Sequence, residues 1–436
     1  MTYRQRLLAD RLLAAPVAFL CTFGARIAGS LLRRDHSVEP ANVHHIVVAK
    51  LVGMGSAIQA TVLLRSIKQR FPNSRLIFVS LRANSELLSR LDYVDETIYL
   101  DDRNVFRFAL ATVKALASLV CRRIDLYFDL EVYSAFASLL ALWSLARNRI
   151  GLYRHSNRFK QGIYTHLVYF NTRIPARMLY LQMGRVVGTP VPEHDSLGPL
   201  RVEQAEREGV RSVLTSRGAW PEGTPYIVVN PNASELLLER RWPAPYVVRT
   251  VTELASLGHR VVLTGSPAEA PYVAGLYQQV PQNLRDRVVD TAGSLTLGEL
   301  LALMDQAACV LTNDTGPMHM SIALRRPTVC LFGPGSPDHY GFEQEGVVNL
   351  YAAVLCSPCV HEIDTPPCQG DNVCMQRLEP QLVVESLLKL LDEQAHPEST
   401  NKSSTGHSVR LPLVTDGPHG QPLGFLVRAS VRKTVR

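Results

Sequence analysis

The strongest constraint on this chain is a repeated alternation of short apolar strands with segments of helical periodicity. His45–Lys50 (HIVVAK) is an apolar run that closes on a Gly-rich turn, Leu51–Ser56. Apolar residues at helical spacing follow over Ala57–Phe71, Pro72 and Asn73 stop them, and a second strand covers Arg75–Val79. Strand, crossover helix and strand make a βαβ unit, which demands parallel pairing and helices on the faces of the sheet. The alternation predicts further strands at Thr97–Leu100, Asp125–Leu130 and Arg149–Gly151, with helices at Val105–Leu119 and Ser134–Leu145. Residues 154–200 are less regular and are expected to carry bridging helices. A second series runs through Tyr226–Asn230, Arg260–Thr264, Val288–Asp290, Cys309–Thr312 and Thr328–Phe332. Its helices fall at Tyr246–Leu257, Leu297–Asp305 and His319–Leu324. The residues themselves show no repeat shared by the two halves.

A chain of 436 residues exceeds one ordinary core and fits two α/β domains. The predicted division is an amphipathic segment over 1–43, a first domain over 44–190, a linker over 191–225, a second domain over 226–394 and a disordered tail over 395–436. The tail is rich in Ser, Thr, Pro, Gly and His. The net charge of +7 does not read as a nucleic-acid footprint, because much of it lies at the two ends and no basic-aromatic interleaving accompanies it. Residues 7–32 come nearest to a membrane span. Asp10, Arg11 and Arg26 interrupt them, and Pro16 is expected to break or kink a helix there. No small-residue cleavage site follows, so no signal peptide is expected. A helix lying in a membrane surface and a helix docked on the protein both fit this segment.

The motif richest in chemistry is Thr312–Met320 (TNDTGPMHM), set between a strand and a helical run. Asp314 and Thr315 are good N-cap residues, Pro317 suits the first helical turn, and Gly316 lets a ligand approach the backbone. A helix start of this kind attracts anions through free amides and the positive end of its dipole, and His319 sits one turn in. A diphosphate suits it; a plain capped helix is the bland alternative. Asn230–Pro243 (NPNASELLLERRWP) places Arg240 and Arg241 after a strand, where forked guanidinium groups suit phosphate oxygens. Leu263–Glu269 (LTGSPAE) puts Glu269 where a carboxylate can accept from a ribose diol, or simply cap a turn. Gly53–Ser56 (GMGS), with Gly55, is neither GxGxxG nor a P-loop, which argues against a dinucleotide or ATP site. Four cysteines, Cys356-x2-Cys359-x8-Cys368-x5-Cys374, admit a structural zinc, disulfides or free thiols.

Together these segments resemble the ADP-heptose:lipopolysaccharide heptosyltransferases, glycosyltransferase family nine. The likeness runs from about residue 44 to 392 and is carried by NDTGPMH, Ala323, Pro327, FGP at Phe332–Pro334, ERRWP, the cysteine cluster and LVGMGSAIQATVLLRSIKQRFP. The resemblance implies two Rossmann-like α/β domains facing a cleft (GT-B type), the first for the acceptor and the second for a nucleotide-sugar donor. It implies that Asp314, Thr315, Gly316 and His319 bind the donor diphosphate and sugar, with Arg240 and its neighbour Arg241 neutralising the leaving group. Glu269 would hold the nucleoside and Gly55 would shape the acceptor turn. No metal cofactor is implied, with ADP-heptose the favoured donor. The acceptor would be a lipid-linked saccharide, with peripheral contact at the cytoplasmic face of the inner membrane. One residue departs from the family: Ser56 stands where a carboxylate serves as general base, and a serine cannot take that role at neutral pH. Glu131, at the end of DLYFDLE, is the candidate substitute. The rival expectations are a catalytically impaired nucleotide-sugar-binding relative and a sugar-nucleotide epimerase.

Overall fold

The computed structural model describes residues 8–32, 36–192, 196–218, 220–221, 223–233, 237–360, 366, 368–396 and 407–414. It divides into two compact units, residues 1–201 and 202–436.

The first unit opens with a π-helical turn, Asp10–Ala14, running into helix α1, Ala15–Leu32. Pro16 therefore does not break this helix. The backbone is helical from residue 8 to 32, and the wider π turn directly before Pro16 accommodates its ring and its missing N–H. The segment is, by length and composition, apolar enough to cross a membrane, contrary to the reading from its charges. Strand β1 (His45–Ala49) leads to the short helix α2 (Met54–Gln59), helix α3 (Thr61–Arg70) and β2 (Arg75–Leu81). Then follow β3 (Glu96–Leu100), α4 (Val105–Arg122), β4 (Leu126–Asp129), α5 (Ala135–Trp143) and β5 (Asn148–Tyr153). Two elements complete the unit inside the stretch read as irregular: β6 (His166–Tyr169) and α6 (Ala176–Arg185). The strand is only four residues long, too short for periodicity to betray it.

All six strands are parallel, in the order β3-β2-β1-β4-β5-β6. Ile46, Val47, Val48 and Ala49 are fully buried, as expected of a strand covered on both faces. The order reverses between β1 and β4, and the carboxyl ends of those two strands open the crevice where ligands of such sheets bind.

The second unit begins with α7 (Gln204–Ser216), which occupies the stretch read as linker and packs on a later helix, α10. A capping box built from Glu203 and Glu206 starts it. Next come β7 (Ile227–Asn230), α8 (Ala244–Ser256), β8 (Val261–Leu263), α9 (Ala270–Tyr277) and β9 (Val288–Asp290). The series continues with α10 (Leu297–Asp305), β10 (Cys309–Asn313), α11 (Gly316–Ala323), β11 (Thr328–Phe332) and β12 (Val347–Val354). It ends with α12 (Pro380–Ala395) and β13 (His407–Val414).

Its strands are parallel in the order β13-β12-β11-β10-β7-β8-β9. Counted within the unit, this is the order of the first sheet plus one outer strand, so the halves repeat a topology that their residues do not display. The tail expectation changes for residues 407–414: they pair with β12 from Val348 to Val354 and close the sheet edge. The rest of the predicted tail beyond residue 396 lies outside the described residues. Trp242 anchors this unit. It is buried among Val247, Val251 and Leu378, and its indole N–H donates to the Leu378 carbonyl at 2.9 Å.

Candidate functional site

In the second unit the strand order reverses between β7 and β10, and the predicted residues gather at their carboxyl ends. The Asn313 amide donates to the Asn232 carbonyl at 2.9 Å, tying the two strand ends together. Asp314 follows, its backbone N–H still on the ladder to Leu331 at 3.0 Å and its carboxylate buried. Burial pushes that carboxyl up and the Arg240 charge draws it back down. Arg240 comes from the ERRWP segment. Its Nη1 donates to the Asp314 carbonyl at 3.2 Å and its Nε lies 3.7 Å from Asp314 Oδ2. Gly335 makes room for this side chain, since a Cβ there would stand 1.9 Å from that same carboxylate oxygen and force it to shift.

Helix α11 starts at Gly316, with Thr315 at the N-cap and Pro317 in the first turn. The Thr315 hydroxyl does not cap it; it donates to the Asn313 carbonyl at 3.3 Å. The opening amides of α11 thus receive no side-chain acceptor. A Cβ on Gly316 would meet only Met320 Cε, at 3.8 Å, so the protein itself leaves this backbone approachable. His319 is buried beside Phe342, ring centroids 5.8 Å apart. Three buried atoms here have no hydrogen-bond partner: Arg240 Nε, Asp314 Oδ2 and Asn232 Oδ1. Unmade bonds of this kind cost free energy and mark a place shaped for another polar group.

Glu269 lies beyond β8, with one carboxylate oxygen taking the Ser266 N–H and hydroxyl, both at 2.8 Å. It connects to the switch point through Gly265, whose missing Cβ makes room for Asn232 Nδ2 and the Glu269 side chain. Arg241 stacks over the Tyr272 ring, 3.9 Å from its centroid. Asn232, Asn313 and Gly335 were not singled out from the sequence. Asn232 and Asn313 lie inside quoted motifs, and Gly335 follows the quoted FGP by one residue.

The first unit has its own switch point, and there a buried ion pair holds the Gly-rich turn. Lys50 Nζ lies 3.0 Å from Glu131 Oε2, and Glu131 Oε1 accepts the N–H groups of Leu51 and Val52 at 2.8 and 3.0 Å. Burial lowers the Lys50 pKa, but the Glu131 charge and hydrogen bond outweigh it and leave the ammonium above its ordinary range. Both oxygens of the proposed base are therefore engaged, Oε1 with the turn that carries Gly53, Gly55 and Ser56 and Oε2 with Lys50. Gly53 has φ 93°, which needs glycine. Ser56 is hydrogen-bonded to the buried Tyr180 of α6.

Behind the ion pair, Asp129 is fully buried. It accepts the Glu131 N–H and the Tyr164 hydroxyl, and Lys160 lies close enough to lower its pKa. Burial nevertheless pushes its carboxyl up to about 6. The folded state therefore holds this proton at pH values where the unfolded chain, near 3.8, has lost it. The corresponding stability is fully present below pH 3.8 and is lost as pH rises through about 6, a difference on the order of 3 kcal/mol. Asp129→Asn is expected to level the comparison: wild type minus variant stability, followed by urea unfolding from pH 4 to 8, should fall with rising pH. A flat difference would contradict the buried, protonated carboxyl.

The four clustered cysteines are free thiols, Cys359 and Cys374 buried, Cys356 and Cys368 half-buried. Burial and the neighbouring thiols raise the pKa of Cys356, Cys359 and Cys374, so the four lie near one another, while among the described residues no group of three metal-ligating side chains is placed to hold an ion. Cys374 instead packs under Gly333 at the end of β11.

The family model for glycosyltransferase family 9 (heptosyltransferase) matches residues 146–368, just over half of the chain. A lipooligosaccharide heptosyltransferase 2 from Haemophilus influenzae is 31% identical over 153 residues, 34% of this chain and 44% of that protein. A lipooligosaccharide heptosyltransferase 2 from Campylobacter jejuni is 21% identical over 340 residues, 77% of this chain and 96% of that protein. The first two relatives are matched over about half of their own length. A family 9 glycosyl transferase from Veillonella parvula superposes with a TM-score of 0.68 at 21% identity, over 82% of this chain and 99% of that one. The Escherichia coli ADP-heptose heptosyltransferase II does so with 0.64 at 21%, over 81% and 100%. Two parallel α/β units and the family match agree, and the chain belongs to glycosyltransferase family 9, the heptosyltransferases.

Proposed function

We propose that the protein transfers a heptose or related sugar, with inversion, from an ADP-linked donor to a lipopolysaccharide-type acceptor at the cytoplasmic face of the inner membrane. The observation that carries this reading is the uncapped start of α11 beside the Arg240–Asp314 pair, with several buried polar atoms left unsatisfied around it. The relatives named above are heptosyltransferases, and two of the matched solved structures are of an Escherichia coli heptosyltransferase with ADP and with ADP-2-deoxy-2-fluoro heptose. An epimerase is not favoured on these comparisons.

In the proposed reaction an acceptor hydroxyl oxygen attacks the anomeric carbon and the bond from that carbon to the diphosphate oxygen breaks. The diphosphate leaves with the electron pair. Charge grows on it as the bond breaks, so groups fixed in advance stabilise the transition state most. The α11 amides, Thr315, Gly316 and His319 bind the diphosphate and nearby sugar, and Arg240 with Arg241 supplies positive charge. Glu269 accepts from the nucleoside ribose. The acceptor meets the Gly55–Ser56 turn, where Ser56 positions its hydroxyl. Glu131 receives the proton while Lys50 stays charged beside it.

Titration with ADP, UDP, GDP and CMP, read as thermal stability, tests the donor site. ADP is expected to stabilise the wild type by about 2.7 kcal/mol at a hundredfold excess over its dissociation constant, and Asp314→Ala to remove the effect. A folded protein that no diphosphate stabilises would overturn the reading.

A further inference from the structure

We propose that one face of the first unit, formed by helices α1 and α4, docks on an anionic lipid bilayer. A helix that packs on a soluble protein turns its large apolar residues inward. Helix α1 does the reverse. Ala18 and Thr22 are its buried positions, and Phe19, Phe23 and Ile27 are 50, 52 and 63% exposed. Helix α4 repeats the arrangement, with Ala115 and Leu119 inward and Phe106 and Val113 at 76 and 64% exposure. Both helices pack on α5, which is buried from Ala137 to Ala141, and both contribute to the core cluster under this side of the sheet. Two apolar stripes therefore lie on one side of one unit, far more apolar surface than a scatter of single exposed residues.

Charge identifies the occupant. Neither Ala15–Leu32 nor Val105–Arg122 contains an acidic residue, and their charged residues are Arg26, Arg107, Lys114 and Arg122. The sequence flanking α1 adds Arg4, Arg6, Arg33 and Arg34. Arg107 and Arg122 lie 3.9 and 2.7 Å from Asp101 and Glu96, and the remaining basic residues, Arg26 and Lys114 on the helices themselves, leave an apolar face with a positive excess, complementary to acyl chains beneath anionic headgroups. The helix lies on the surface and does not cross. Asp10 caps α5, accepting from Ser134 Oγ and from the N–H groups of Ala135 and Phe136 at 3.0, 2.9 and 2.8 Å. Thr22 sits so close to Gly162 that a Cβ there would stand 2.7 Å from it. Spanning would break both attachments. The docking rests on the transferase reading only for the identity of the acceptor, a saccharide whose lipid anchor keeps it at that surface.

The full-length protein is mixed with vesicles of phosphatidylcholine plus phosphatidylglycerol, or of phosphatidylcholine alone, and sedimented. Wild type is expected to bind the anionic vesicles, and raised salt to weaken that binding. Phe19→Glu with Phe23→Glu, and separately Phe106→Glu with Val113→Glu, should each reduce it about tenfold or more. These residues are exposed, so thermal stability and its increase with ADP should stay at wild-type values. Wild-type vesicle binding in either variant overturns the proposal. So does wild type that ignores anionic vesicles, or wild type that forms a dimer which the same substitutions dissociate. Loss of the ADP response in the wild type would instead fault the donor-site reading, leaving the vesicle result to be judged by itself.

Discussion

Arg240→Ala is expected to lower kcat by about two to three orders of magnitude, with a smaller change in KM. The expectation follows from where the guanidinium sits. One nitrogen holds the Asp314 carbonyl and Nε stands 3.7 Å from the Asp314 carboxylate, so the side chain is fixed before any donor arrives. A charge already in place costs no reorganisation when the diphosphate gains charge, whereas a mobile one would. Arg240→Lys should recover part of the loss, because an ammonium keeps the charge but not the fork. Steady-state kinetics with ADP-heptose and an isolated acceptor would measure both. Equal losses in kcat and kcat/KM would place the contact in the transition state. A KM effect alone would mean that Arg240 merely binds the donor.

The second large effect concerns stability. Lys50→Met should destabilise the first unit by about 3–5 kcal/mol, because it leaves the Glu131 carboxylate poorly exposed and without its cation. Glu131 would still accept from Leu51 and Val52, so the turn is weakened rather than lost. The double variant Lys50→Met/Glu131→Gln should regain much of that stability, since a neutral amide can accept the same two N–H groups without a buried charge. Urea denaturation of the single and double variants checks this. Additive losses would mean that the pair is not coupled. The double variant also separates two roles of Glu131: recovered stability without recovered turnover supports its part in proton transfer.

Much of the architecture was legible because it is local. Every strand expected in the first series exists within a residue or two, since parallel strands covered on both faces read as continuous apolar runs. The donor-side residues were found as motifs for a similar reason. A strand end, a glycine and a helix start must be adjacent in sequence, as Asp314, Thr315 and Gly316 are. Where an element carried little periodicity, the reading failed. β6 is too short, and β12 is preceded only by a four-residue helix, Pro337–Tyr340, too short to show periodicity. β13 takes its place only through backbone bonds to β12.

Residue types and their order thus determined that the chain alternates strand and helix and that it divides into two such series, and they marked the start of α11 as the candidate anion site. The tertiary structure alone decided which distant residues meet. Glu131 binds N–H groups 80 positions away, and Asn313 binds a carbonyl 81 positions away, because parallel crossovers bring β4 beside β1 and β10 beside β7. It also decided which way α1 faces. The sequence left open a helix docked on the protein and one lying on a membrane. Packing against α5 turned the small residues inward and left the large ones outside, because a close contact with Gly162 and the buried end of α5 admits Ala18 and Thr22 but no aromatic ring.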